Sequence, residues 1–199
     1  MNNIVRERKL SHVVFEDAEL DHLRSLAKQY PTIEAAVSRQ AMLNAEMSLP
    51  KGMSHAFSDI HGEIKKLRHV INNASGRIRP LVESLFKETL SSEEINTLLQ
   101  MIYYPQESLA YLQTSLEGKS QRLAFAKKII QQQLLLLRAL GKHYPLSKLI
   151  DAIPKAYRDP LMELLFAKSL HRDEDYINAI FDTFMQSGKL LEIIRLLSR

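Results

Sequence analysis

An apolar rhythm of helical period, cut at intervals by proline and glycine, constrains this chain more than any other feature. Leu20, Leu23, Leu26 and Ala27 recur at helical spacing, and Pro31 interrupts at a position suited to opening the next helix. That helix carries Ala35, Ala36, Met42, Leu43 and Met47 before Pro50 stops it. Ser91 and Glu94 have the spacing of a capping box ahead of Ile95, Leu98, Leu99 and Ile102, and Pro105 closes the segment. Beyond Gly118 a long basic helix is predicted from about Lys119 to Leu140, bounded by Gly141. Pro145, Pro154 and Pro160 then divide the sequence into short pieces. Helices over about Asp173 to Gln186 and Lys189 to Ser198 follow. The tract Gln131 to Leu137 sits inside this rhythm and reads as core-facing, and no repeat of constant length supports a solenoid.

Composition removes several chemistries. With no cysteine among 199 residues there is no disulfide, thiolate metal site or cysteine nucleophile, so any metal must be held by oxygen and nitrogen. The longest aliphatic block, Leu134 to Leu137, lies between Gln133 and Arg138, far short of a membrane span. The charged start, Met1 to Lys9, lacks the apolar core of an export signal, which makes the cytoplasm the expected location. The formal charge of +4 is concentrated: residues 101–150 hold 7 Lys and Arg against 2 Asp and Glu. A solvated basic helix face explains that excess more simply than a nucleic-acid site.

One short region departs from the helical pattern. His55 to Ser58 suits an extended strand, and Asp59, His61 and Gly62 follow it directly. Ile64, Leu67, Val70 and Ile71 then resume a helix. The order is strand, turn, helix, the local arrangement in which α/β proteins gather ligands. Asp59 and His61 stand two apart, so a carboxylate oxygen and an imidazole nitrogen can bend toward one divalent cation about 2 Å from each. Manganese, iron, magnesium and zinc all suit such a pair. The bare Asp-x-His-Gly pattern is weak, and its placement after a predicted strand strengthens it.

These residues belong to a wider pattern. Leu49-Pro50-Lys51-Gly52, Ser58-Asp59-Ile60-His61-Gly62-Glu63, His69-Val70, Ser75-Gly76-Arg77 and Ile102-Tyr103-Tyr104-Pro105 together resemble the amino-terminal part of the class 3 fructose-1,6-bisphosphatases. Those are bacterial enzymes on the calcineurin-like metallophosphoesterase core, and the resemblance runs over about residues 20 to 199. It implies a chain that is mostly α as given. N-terminal helices would occupy 1–50, the first strand-turn-helix of the α/β core 51–80, and a helical insertion 81–199. It implies hydrolysis of the 1-phosphate of fructose 1,6-bisphosphate in gluconeogenesis, with a divalent metal, manganese foremost, as cofactor. Asp59 and His61 match the first metal-binding motif of a two-metal centre, in which both ligate one metal. No catalytic or substrate-binding residue transfers.

The rest of that centre is missing from the sequence. The six glycines are followed by Met53, Glu63, Arg77, Lys119, Lys142 and Lys189, so neither Gly-Asp nor Gly-Asn occurs. The family's bridging-aspartate and Gly-Asn-His motifs are therefore absent, and the chain reads as an amino-terminal fragment, inactive alone. A lone strand with unpaired edges and helices with bare apolar faces would promote self-association. Arg77 and Arg79 could approach a phosphate, although solvated arginines are the simpler reading. His55 is assigned to packing, His12, His22, His143 and His171 to unconnected sites, and His69 lies too far along its helix to pair locally with His61. Tyr103 and Tyr104 read as core aromatics. The alternative function is a non-catalytic helical interaction protein whose basic helix, Lys119 to Lys142, docks a partner or RNA while the Asp59 motif is vestigial.

Overall fold

The computed structural model describes residues 16–198 apart from 52, 53, 55, 57 and 117. The chain divides after Ser48 into two units. In the first, helix α1 spans Asp17–Gln29, with Asp17 and Glu19 in its first turn and Lys28 in its last, each sign suited to the helix dipole. Helix α2 spans Ile33–Ser48. Its cap is Thr32, one residue beyond the expected Pro31, whose hydroxyl accepts the Ala35 N–H at 3.2 Å. Neither helix buries a residue.

The second unit, from Leu49 onward, holds the core. Its helices are α3 Ile64–Asn72, α4 Ile78–Phe86, α5 Ser92–Tyr103, α6 Pro105–Ser115 and α7 Lys119–Gly141. Then come α8 Leu146–Ala152, a 3-10 turn at Lys155–Tyr157, α9 Arg158–Phe166, α10 Glu174–Gln186 and α11 Leu190–Leu197. The expected capping box is present: the Ser91 hydroxyl accepts from Glu94 N–H at 3.2 Å, and the Glu94 carboxylate accepts from Ser91 N–H at 2.8 Å. Asp173 caps α10 by accepting from Tyr176 N–H at 2.8 Å.

Helix α7 is the axis of this unit, packed against α8, α9, α10 and α11, while α5 packs against α3, α4 and α6. Ala126, Ile129, Ile130, Leu134 and Leu136 of α7 are buried with Leu98 and Leu99 of α5, Leu161 of α9, Phe181 of α10 and Ile193 and Ile194 of α11. Each buried side chain of this size stabilises the fold by about 1.5–3 kcal/mol relative to exposure. The glutamine tract is core-facing as its rhythm suggests. Gln133 is buried and its amide donates to Ile194 O at 3.0 Å and Ser198 Oγ at 2.7 Å, a polar lock between α7 and the end of α11. Gly141 ends α7 where a Cβ would stand 3.1 Å from the Leu149 methyls, so α8 folds back closely.

The expected strand-turn-helix of an α/β core is not what forms. Among the described residues there is no strand: Ser54, Ala56, Ser58, Asp59 and Ile60 have no regular structure, and only the turn and the following helix appear. His55 and Phe57 of the predicted strand lie outside the described residues. The reason is pairing. A strand exists by exchanging N–H and C=O bonds with a neighbour, and every other described segment of regular structure satisfies its backbone within helices. The mostly helical character of the chain stands; the α/β element does not.

Candidate functional site

The turn between Ser58 and Ile64 is held by backbone geometry of an unusual kind. Asp59 and His61 have φ of 20° and 46°, and Gly62 follows at 74°. Left-handed backbone costs a non-glycine residue roughly 1–2 kcal/mol, and such conformations concentrate where side chains must be aimed. The turn is closed by Glu63 N–H donating to Ile60 O at 2.9 Å and Ile64 N–H donating to Gly62 O at 2.8 Å. Glu63 then occupies the N-cap position of α3 without a side-chain cap bond, and pairs with Lys66 at 3.2 Å.

The consequence of that backbone is convergence. His61 Nε2 and Asp59 Oδ2 stand 2.9 Å apart, with both side chains largely exposed, at 79% and 73%. Two ligands each about 2.1 Å from one cation and at right angles would be separated by about 3.0 Å, so the donor pair fits a shared divalent ion without rearrangement of the turn. The same distance is that of an imidazole N–H donating to a carboxylate, and this is the contact made here. The pair is half a site: among the described residues no three or more His, Cys, Asp or Glu side chains gather closely enough to hold a metal.

A second cluster forms where the sequence suggests only packing. The C-terminal turn of α3 and the end of α5 meet through His69, Asn73, Tyr103 and Tyr104. His69 stacks parallel to Tyr104, with ring centres 5.7 Å apart, and meets Tyr103 edge-on at 5.9 Å. Asn72 donates to Tyr103 O at 2.7 Å, tying the two helices together. The hydrogen bonds fix their own directions. Gly76 N–H donates to Asn73 Oδ1 at 3.0 Å, so the Asn73 amide nitrogen is the group that faces His69 Nε2 at 3.0 Å. Nε2 must accept, which places the imidazole proton on Nδ1, and Nδ1 donates to the Tyr104 oxygen at 2.6 Å. Burial pushes the Tyr103 phenol above its ordinary range, against the pull of the nearby Arg79 cation.

Sequence reasoning treats these aromatics as core and leaves His69 without a partner. The signal that could have found the cluster is the spacing of His69 and Asn73, four apart and therefore on one face of a helix. The arginines divide as follows. Arg77 is exposed, while Arg79 pairs with Glu83 at 3.4 Å and donates to Asn96 at 3.2 Å. The basic face of α7 is also engaged within the fold. Lys127 donates to Asn178 at 2.6 Å, Lys128 pairs with Glu94, and Arg138 donates to Ser169 at 3.0 Å. Of these only Lys128 has an acidic partner; Lys127 and Arg138 bond to neutral groups, and Lys119 and Lys142 stay exposed.

Comparison with known proteins identifies the family. The chain matches the family of Firmicute fructose-1,6-bisphosphatases over residues 21–199. It is 34% identical over 153 residues to the class 3 fructose-1,6-bisphosphatase of Oceanobacillus iheyensis, covering 77% of this chain and 23% of that protein. To the one of Alkaliphilus metalliredigens it is 33% identical over 178 residues, covering 89% and 26%. To that of Staphylococcus epidermidis it is 28% identical over 178 residues, covering 89% and 27%. The chain thus spans about a quarter of the length of the curated relatives it matches. No solved structure matches it significantly.

Proposed function

This chain belongs to the Firmicute fructose-1,6-bisphosphatase family, and from that premise we propose that it carries the first metal-binding turn of an enzyme that releases phosphate from fructose 1,6-bisphosphate. The observation that carries the reading is the 2.9 Å approach of Asp59 and His61 on a turn with left-handed backbone. These two side chains would hold one divalent cation, manganese foremost, through Oδ2 and Nε2. When bound, such an ion supplies Lewis-acid polarisation of a phosphoryl oxygen and lowers the pKa of a coordinated water. Asp59 contributes the negative charge that offsets part of the cation, and His61 contributes a neutral donor that fixes its direction. Residues 51–80 are the start of the metallophosphoesterase core in this reading, residues 81–199 its helical insertion, and the setting is cytoplasmic.

Two donors are too few for hydrolysis. A phosphatase centre of this type needs a second cation about 3.5–4 Å from the first, and with it a bridging carboxylate. Neither the described donor clusters nor the glycine contexts of the sequence provide one. The polypeptide of 199 residues alone is therefore expected to bind manganese weakly and to be inactive. Exposed apolar side chains on α2, Ile33 at 79% and Met47 at 85%, support its self-association, which light scattering reads directly.

The test is a manganese titration followed by electron paramagnetic resonance, with Asp59→Ala and His61→Ala alongside the parent chain. Each substitution should weaken binding at least about tenfold while leaving the helical circular dichroism unchanged, the scale expected for loss of a ligand or its partner. Unchanged manganese affinity in both variants would remove the metal assignment. Release of phosphate from fructose 1,6-bisphosphate by the chain alone would overturn the expectation of inactivity.

A further inference from the structure

The His69 imidazole is bonded at both ring nitrogens, and its partners fit one protonation state. Nδ1 donates to Tyr104 Oη at 2.6 Å, and Nε2 accepts from Asn73 Nδ2 at 3.0 Å. Asn73 is not free to turn its amide over. Its Oδ1 accepts from Gly76 N–H at 3.0 Å, an N–H shared with the Asn73 backbone oxygen at the same distance. A turned amide would set its own hydrogens against that N–H. The same bond braces a strained turn, in which Ala74, Ser75 and Gly76 follow with φ of 47°, 52° and 85°. Left-handed backbone at two successive non-glycine residues persists only where surrounding contacts fix it.

A proton added to His69 must enter at Nε2, the ring nitrogen that has none. It then aims an N–H at the Asn73 amide nitrogen, two donors 3.0 Å apart with no acceptor between them. Little around the ring offsets this. Among the described residues no carboxylate bonds to it; from α5 it meets Tyr103 edge-on and Tyr104 face to face. On α4, Arg79 lies beside Tyr103, and the Glu83 carboxylate is paired with that arginine. On α3 itself, Arg68 precedes His69, and Lys65 and Lys66 stand four and three residues before it, where like charge disfavours an imidazolium. The carboxyl-terminal end of the α3 dipole favours a positive ring, but that field is screened by salt. Charge would also strengthen the bond to Tyr104. The ring cannot keep that bond and its stack, however, without keeping Nε2 on Asn73.

We propose that His69 is a proton-sensitive latch between α3 and α5, closed by the neutral imidazole between Asn73 and Tyr104 and opened when Nε2 gains a proton. Imidazole is the side chain that changes charge between about pH 8 and 5. Because the closed latch excludes a proton that an open one accepts, the junction is firm at the upper end of that range and loosens as pH falls. The latch sits at the opposite end of α3 from Asp59 and His61 and does not rest on the metal reading.

The experiment is nuclear magnetic resonance of the 15N-labelled, metal-free 199-residue chain between about pH 7.5 and 5 in physiological salt. Side-chain correlations should show His69 neutral with its proton on Nδ1 at the upper pH. Hydrogen-exchange protection of the amides of residues 73 and 104, corrected for intrinsic exchange, should fall at least about threefold on acidification, the scale of one lost hydrogen bond. His69→Phe keeps a stacking ring and should abolish that fall. Asn73→Asp keeps an acceptor for Gly76 N–H and offers a carboxylate to Nε2–H, so its protection should hold or rise as pH falls, the reverse of the parent. A merely structural role for Asn73 predicts no such reversal. A proton on Nε2 at the upper pH, a parent junction indifferent to pH, or the same fall in Asn73→Asp as in the parent would each overturn the proposal. The tautomer and exchange measurements on the parent decide it even where a variant fails to fold.

Discussion

The two units of the chain use helices in opposite ways. Helices α1 and α2 bury nothing, and Ile33, Val37 and Met47 stand 79%, 56% and 85% exposed. Helices α4 to α11 bury a continuous cluster in which Val82, Leu98, Ile130, Leu161, Ile193 and Ile194 are fully enclosed. The same apolar rhythm thus produces a core in one place and uncovered faces in the other. Periodicity says that a face is apolar; only the number of neighbours able to cover it decides whether it is buried.

The largest effect that would sharpen this contrast is in the core. Leu98→Ala should destabilise the second unit by about 2–5 kcal/mol in urea unfolding, whereas Val37→Ala in α2 should change stability by less than about 0.5 kcal/mol. A comparable loss from both would mean that α2 is covered in solution. Next comes the α5 cap. Ser91→Ala removes the acceptor for the Glu94 N–H and should cost about 1 kcal/mol in the same measurement.

The smallest effect is a pH dependence at that cap. The Lys128 ammonium hydrogen-bonded to Glu94, aided by the Ser91 contacts, holds the Glu94 carboxyl down from its ordinary 4.5 to about 2. A carboxyl depressed in the folded state contributes stability above its unfolded pKa, and that contribution is lost as pH falls from about 4.5 toward 2. Because the group is solvent-exposed, the effect should be modest and should weaken with salt. Thermal melts of the parent and Lys128→Gln should differ near pH 6 and converge toward pH 2. A difference that grows on acidification would show the opposite linkage.

How much of this was legible in the sequence follows from the range of the interactions. Local devices could be read: the Ser91 and Glu94 box, Asp173 at the start of α10, Gly141 at the end of α7, and the buried stretch of α7 all follow from spacing within a few residues. The approach of Asp59 and His61 was legible for the same reason, since two residues and a glycine define it. The strand was not, because β structure depends on a partner segment and no local pattern supplies one. The His69 cluster was hidden because its contacts to Tyr103 and Tyr104 span more than thirty residues, as does the lock from Gln133 to Ile194.

Asn72 gives the Asp59 and His61 turn a mechanical setting. It clamps the carboxyl-terminal end of α3 to the Tyr103 carbonyl, while His61 lies just ahead of the other end, one nine-residue helix away. That helix is a lever about 13 Å long with its fulcrum at Asn72. A tilt of about 10° there sweeps the far tip through about 2 Å, the length of one coordination bond. Pivoting of α3 about that clamp would therefore change the aim of the imidazole.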